Sequence, residues 1–361
     1  MGWNASGQAD STRHRRMYRT ALVALPIWAV VLAGLPRVAE HDPGDPMEAV
    51  VEAAAELDPL SSLLIWHRDS LLVEEYFNGM RADRAVNIKS ASKSIVGLLV
   101  GIALEDGAID SLDQPIADLL PEYARAMNGS AKRAITVRDL LTMQSGLEST
   151  SSRNYGAWVT SADWVRDALR RPVECDPGAC WGYSTGTTHV LGVIVARRTG
   201  RSLRDYAAER LFGPLGVPVR GWDRDPQGNY LGGNNMSFRP VELLRLGRLL
   251  LDEGIVDGRR IVPARWLDAS WRSYARSPYN GNGYGFHWWN RSMDGQRVIF
   301  AWGYGGQFLY VVPRLDLTVV VTSSLASRGA RGHNERVHDL IEESIIPAIR
   351  SRHRAHGPTR G

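Results

Sequence analysis

The chain has 361 residues, of which 44% are hydrophobic and 23% charged, and it carries 12 tryptophans. That is ample for a large buried core and excludes an extended, highly charged disordered chain. The formal net charge of +4 is spread along the sequence, apart from arginine clusters at 13–19 and 350–354, which argues against a nucleic-acid-binding stripe.

Arg13, Arg15, Arg16 and Arg19 precede an apolar stretch at 21–35, interrupted by Pro26, and a polar, proline-containing segment follows at 37–46. Basic residues before a short apolar run are the layout of an export signal. The stretch is short for a full membrane span, so cleavage is favoured over a retained anchor, and both readings stay open for 1–45. Arg15-Arg16 also resembles a twin-arginine signal, although Arg19 stands where that motif expects an apolar residue. The expectation is an exported, periplasmic or extracytoplasmic protein, with membrane attachment through 21–35 as the alternative to release.

A helix is predicted over 46–57, then strands over 62–66 and 71–77, joined as a hairpin near Arg68-Asp69-Ser70. Among the 43 Lys and Arg residues only Lys89, Lys93 and Lys132 are lysines, and two of them flank one serine in Lys89-Ser90-Ala91-Ser92-Lys93. A chain that otherwise uses arginine has reason to keep lysine where the amine must lose its proton. The run 90–105 has apolar residues at Ile95, Leu98, Leu99, Ile102 and Leu104, with Gly107 after it, which predicts a helix starting at Ser90. At i, i+3 the Lys93 amine can reach the Ser90 hydroxyl, and partial burial would lower its pKa into the range of a base. A serine N-cap followed by a solvated lysine has the same spelling, so the motif alone leaves chemistry and capping open.

Helical periodicity continues through 115–120, 137–143, 162–169, 187–198, 203–211, 240–251 and 263–274. It changes to period two at 284–290, 297–302, 308–312 and 317–323, which predicts consecutive antiparallel strands with turns near Met293-Asp294-Gly295 and 313–316. A last helix is predicted over 335–349, ahead of a basic tail at 351–361. Strands at both ends of a long helical insertion predict an α+β fold: one domain over 46–350, with a mixed part at 46–88 and 282–350 and a mainly helical part at 89–281. Ser90 falls at their boundary, where a cleft is expected.

Cys175 and Cys180, the only two cysteines, bracket Asp176-Pro177-Gly178-Ala179 and are expected to form a disulfide in an oxidising compartment. No further ligands at zinc spacing accompany them, and no metal or cofactor is expected. Trp181-Gly182-Tyr183-Ser184-Thr185 follows directly. A Tyr183 phenol near Lys93 could share its proton and help to deprotonate Ser90; a buried tyrosine with a satisfied hydroxyl is the alternative. The glycines of Gly303-Tyr304-Gly305-Gly306-Gln307 predict a glycine-lined edge strand beside a substrate, aiming a backbone N–H at a developing oxyanion, with a bulge or bend as the alternative. Residues 182–186 also satisfy G-x-S-x-G, but no buried strand precedes Ser184, so a nucleophile elbow is rejected. Trp158, Trp288 and Trp289 are candidates for an apolar acyl pocket, although a core role would equally explain them.

Ser90-Ala91-Ser92-Lys93, Tyr183-Ser184-Thr185 and Tyr304-Gly305-Gly306 together resemble, in order and spacing, the S-x-x-K, Y-x-N and K-T-G or H-x-G boxes of the serine β-lactamase and penicillin-binding-protein family, the last two in part. The stretches 107–121, 135–147 and 191–216 look similar to it as well. The likeness covers about 46–349 and is greatest for the branch containing class C β-lactamases, esterases and 6-aminohexanoate-dimer hydrolase. It implies a β-lactamase/transpeptidase-like fold, an antiparallel sheet flanked by helices from both termini plus an inserted helical subdomain. It also implies Ser90 as nucleophile, Lys93 and Tyr183 as the proton-transfer pair, and the backbone N–H groups of Ser90 and Gln307 as the oxyanion hole. Thr185, Asn235, Tyr304, Gly305 and Gly306 would line the substrate.

Two departures from the family pattern matter. Thr185 stands where an asparagine is usual, and Tyr304 replaces the cation that would face the carboxylate of a β-lactam or D-alanyl peptide. The expectation is therefore a serine hydrolase acting through an acyl-enzyme on a small-molecule ester or unactivated amide, with no nucleic-acid partner and no cofactor. A β-lactamase or D-alanyl-D-alanine carboxypeptidase is the first alternative, a non-catalytic penicillin-binding-type sensor the second, and the oligomeric state stays open.

Overall fold

The computed structural model describes residues 45–325 and 332–355. The apolar stretch at 21–35 and the chain beyond 355 lie outside the described residues, among which no helix is long and apolar enough to cross a membrane.

The first helix, α1 (Pro46–Ala55), starts where the Asp45 carboxylate accepts a bond from the Met47 N–H at 3.0 Å, with Pro46 in the first turn where no N–H is needed. Eight antiparallel strands form the main sheet: β1 (Leu60–His67), β2 (Ser70–Tyr76), β3 (Ala275–Arg276), β4 (Gly283–Tyr284), β5 (Trp289–Met293), β6 (Gln296–Gly303), β7 (Gln307–Val312) and β8 (Leu317–Ser323). Their spatial order is β2-β1-β8-β7-β6-β5-β4-β3, so strands from early and late in the chain meet where β1 pairs with β8.

Alternation along these strands loads both faces. Leu63 and Ile65 of β1, Val319 and Val321 of β8, and Phe308 and Tyr310 of β7 face one way and pack with Met47 and Val50 of α1 and with Val337, Ile341 and Ile345 near the C-terminus. Leu64, Val320, Leu309 and Val311 face the other way. A sheet covered on both sides explains why β1, β7 and β8 are buried along their whole length, each large apolar side chain contributing roughly 1.5–3 kcal/mol.

The second face receives the helical part. Helix α2 (Ser92–Glu105) is buried from Ser92 to Ala103, so it is apolar all round rather than amphipathic. Helix α3 (Thr185–Thr199) packs beside it and ends at Gly200 in the left-handed conformation (φ 66°), while α4 (Pro240–Leu251) lays Leu243, Leu246 and Leu250 against the sheet side.

Several elements differ from the sequence reading. The strand predicted over 284–290 is broken: the Ser94 hydroxyl donates to the His287 carbonyl at 2.6 Å, the His287 N–H donates to Leu141 at 3.1 Å, and His287 adopts φ 62°. These tertiary bonds override the local alternation. The edge strand β3 lies before 282 and is too short for a period-two signal. The helix predicted over 263–274 is Ala264–Ser270 because the Ser270 carbonyl is taken by the Phe286 N–H at 3.0 Å. The helix predicted over 203–211 runs as Leu203–Ala207 and then widens into a π-turn at Ala208–Phe212, and the C-terminal helix spans His333 to Ala355 with a similar widening at Leu340–Ile345.

Cys175 and Cys180 are joined in a disulfide. The turn they close is also tied down by backbone bonds, Glu174 N–H to Gly146 O at 2.8 Å and Gly178 N–H to Gln144 O at 2.8 Å. Replacing both by serine is expected to cost about 2 kcal/mol, the value for so short a loop, and to leave a folded protein. Urea unfolding of the double variant checks this; an unfolded variant would contradict it.

Candidate active site

Ser90 sits in a 3-10 turn, Lys89–Ala91, which leads into α2, so it precedes the α-helix rather than opening it. The turn is set by Asn87, whose side-chain oxygen accepts from the Lys89 N–H at 2.8 Å while Lys89 adopts φ 52°. Lys93, in the first turn of α2, is only 1% exposed. Its Nζ lies 3.1 Å from Ser90 Oγ and 3.1 Å from Thr185 Oγ1, and donates to the Gly233 carbonyl at 2.6 Å. Burial pushes the amine down to about 7 from its usual 10.5, because the charged form is poorly solvated there. At 3.1 Å the Ser90 hydroxyl can donate to the lone pair of the neutral amine, which is the geometry of a base facing its acid.

Tyr183 completes the cluster. Its phenol faces the Ser90 side chain, which favours the ionised form, but burial outweighs this and pushes the phenol well above its usual value, so it stays protonated at neutral pH. The Lys93 ammonium position is 4.8 Å from the Tyr183 ring centroid. Trp289 stacks on the same ring at 5.7 Å and Tyr284 meets its edge at 6.2 Å, which fixes the phenol without engaging its oxygen.

The segment carrying Tyr183 is held by a run of hydroxyls that the sequence reading passed over. The Ser149 hydroxyl donates to the Tyr183 carbonyl at 2.6 Å, the Thr150 N–H donates to Ser184 Oγ at 3.2 Å, and the Thr185 N–H donates to Ser151 Oγ at 2.9 Å. The two triplets are thus stapled residue for residue. Four consecutive hydroxyl side chains at 149–152 were the available signal. Ser184 is 1% exposed and engaged with Thr150, which is no place for a nucleophile.

The glycine-rich segment is a turn, not an edge strand. Gly303 ends β6 and Gln307 starts β7, both interior strands, and Gly305 (φ 80°) and Gly306 (φ 91°) take left-handed conformations between them. Gly303 meets a different need: a Cβ there would stand 2.0 Å from the Ile88 carbonyl, so only glycine lets this hairpin approach the Ser90 turn. Tyr304 is 76% exposed at the tip. The Gln307 side chain is buried and donates to the Ser323 carbonyl at 2.7 Å, leaving only its backbone for an oxyanion role.

Asn235 (φ 63°) lies beside the Ser90 turn with its amide engaged at both ends, accepting from Asn87 Nδ2 at 3.1 Å and donating to Asp223 at 2.7 Å. Thr185 belongs to the cradle around Lys93. The tryptophans do not line an open acyl pocket: Trp158 and Trp288 are fully buried, and Trp289 is buried beneath Tyr183. Partly exposed Trp181, 6.1 Å from the Tyr183 ring, and 85% exposed Tyr279 beyond it carry this aromatic cluster to the surface.

A protein-family model, Beta-lactamase, matches residues 54–342. The 6-aminohexanoate-dimer hydrolase of Paenarthrobacter ureafaciens is 27% identical over 344 residues, covering 82% of this chain and 85% of that one. Esterase EstB of Burkholderia gladioli is 27% identical over 231 residues, covering 60% and 58%. The crystal structure of a D-stereospecific amidohydrolase from Streptomyces sp. superposes with a TM-score of 0.66 at 18% identity, covering 83% of this chain and 98% of that one. With the sheet, the inserted helices and the match over most of its length, the chain belongs to the beta-lactamase family of serine hydrolases.

Proposed function

We propose that the protein hydrolyses an ester or unactivated amide of a small molecule through an acyl-enzyme on Ser90. One observation carries the reading: a buried amine, held near neutrality, 3.1 Å from the hydroxyl it must activate. Neutral Lys93 takes the Ser90 proton as Oγ bonds to the carbonyl carbon and the C=O electron pair moves onto oxygen. The N–H groups of Ser90 and Gln307 hold that oxyanion. Collapse breaks the bond to the leaving group, which receives a proton from the Tyr183 phenol, itself reprotonated by the Lys93 ammonium. Water then attacks the acyl carbon with the same pair as base and acid, releasing the carboxylate and restoring Ser90.

The relatives named above support ester and amide substrates. Thr185 in place of the second box's amide, and Tyr304 in place of the third box's cation, support these over β-lactams or D-alanyl peptides. The disulfide and the basic-then-apolar start of the chain support export, with attachment through 21–35 if that segment is retained.

Because the amine must be neutral, kcat/KM should rise with pH through about 7 and fall roughly tenfold per unit below it. Steady-state hydrolysis of p-nitrophenyl esters across that range tests this; a flat profile, or a single burst without turnover, would contradict it. Nitrocefin in the same assay reads the β-lactam alternative.

A further inference from the structure

One buried ionisable pair lies outside the cluster and is not used by the mechanism above. His189 stands one helical turn beyond Thr185 on α3, and its side chain and that of Asp225 are both 0% exposed. His189 Nε2 is 2.9 Å from Asp225 Oδ2, and the Gly232 N–H donates to His189 Nδ1 at 3.3 Å. An acceptor at Nδ1 sets the tautomer, so Nε2–H donates to the carboxylate. Asp225 is held in turn by the Asn229 N–H and the Asn229 side-chain amide, each at 2.8 Å.

Resting on the assignment of Lys93 as the base, we propose that His189 and Asp225 are positioning residues, locking the Gly232-Gly233 backbone so that the Gly233 carbonyl meets the Lys93 amine. The need for a lock follows from the glycines. A Cβ at Gly232 would stand 2.5 Å from the Thr188 carbonyl, and one at Gly233 would stand 2.6 Å from the Thr185 carbonyl, so nothing larger fits against α3. Two adjacent glycines, however, have the least intrinsic stiffness of any dipeptide. The 2.6 Å bond from Lys93 to Gly233 therefore depends on an external clamp, and the His189 ring is bonded to the adjoining residue.

Packing alone does not account for the pair. A buried carboxylate is costly, and an apolar pair of similar volume would fill the space more stably. Burial pushes the Asp225 carboxyl up, yet the bonds from His189 and Asn229 outweigh it and hold the group below its usual value. Trp158 and Trp164 meet the His189 ring edge-on at 5.9 and 5.7 Å and keep it from turning. Around Lys93 itself the facing groups are Ser90, Tyr183 and Thr185, with His287, held neutral by burial and by Lys93, behind.

The test compares His189→Ala, His189→Asn and His189→Gln in the full chain with a p-nitrophenyl ester. Asparagine places an oxygen where Nδ1 accepts from Gly232, whereas glutamine reaches only the Nε2 position. His189→Ala should lower kcat by about 100-fold, the scale of a 1 Å misplacement, with KM little changed. A loosened Gly233 carbonyl stabilises the ammonium less, so the acid limb of kcat/KM should also move to lower pH. His189→Asn should recover most of both effects and His189→Gln should not. Equal behaviour of the asparagine and glutamine variants, or a folded alanine variant with unchanged kcat and acid limb, overturns the proposal. If alanine unfolds the protein, the asparagine and glutamine comparison decides alone. Lys93→Ala run in parallel separates the two levels: full activity there overturns the base assignment, whereas loss there with an intact His189→Ala overturns only the clamp.

Discussion

Ser90→Ala is expected to lower kcat for ester hydrolysis by roughly 10⁴ to 10⁶-fold, the range seen when a serine nucleophile is removed and only binding and oxyanion contacts remain. The hydroxyl is the group that both Lys93 and Tyr183 contact, so removing it leaves a base and a proton donor with nothing to act on. The fold should tolerate the change, because Ser90 lies in a turn whose shape is set by Asn87 and Lys89 and by the Ala91 N–H bonding to Ile88 at 3.1 Å. Ser184→Ala is the contrasting variant. It deletes the partner of the Thr150 N–H in a buried staple and should cost about 1–3 kcal/mol of stability while most activity survives. Activity of the two purified variants, read beside their thermal melts, checks the pair; the reverse pattern would place the nucleophile at Ser184.

Lys93→Arg should be nearly as damaging as Lys93→Ala, each losing roughly 10² to 10⁴-fold in kcat/KM. Charge is kept by the arginine, so an electrostatic role for Lys93 would survive the change. The role argued above would not, since a guanidinium does not deprotonate at any working pH. Geometry adds to the loss: three oxygens at 2.6 to 3.1 Å define a site for one nitrogen in a pocket 1% exposed, and a planar fork does not fit it. Arginine activity within a few-fold of lysine, with an unchanged acid limb, would show that the amine is not the base.

How much of this was legible depends on sequence distance. Ser90 and Lys93 are three residues apart on one helical turn, so their contact can be read locally, and the long strands 317–323 and 308–312 announce themselves by apolar content. The break at His287 could not be read, because it is imposed by Ser94 and Leu141, each far away in the chain. The glycine turn was misread as an edge strand since sequence alone does not say which strands lie inside a sheet. Gly233 and the His189–Asp225 pair were missed for the same reason: a histidine in a helix and an Asp-Pro-Gln-Gly-Asn turn 36 residues later carry no mutual signal until the chain folds. The tryptophans were ambiguous because an aromatic that lines a pocket and one that supports a phenol have the same spelling.

The most direct test of a Ser90 acyl-enzyme is the site of covalent capture. After brief reaction with a fluorophosphonate probe and proteolysis, tandem mass spectrometry should find the adduct on the peptide containing Ser90, with no labelling in Ser90→Ala and slowed labelling in Lys93→Arg. An adduct on the Ser184 peptide, or turnover of esters by a protein that captures no probe, would contradict it.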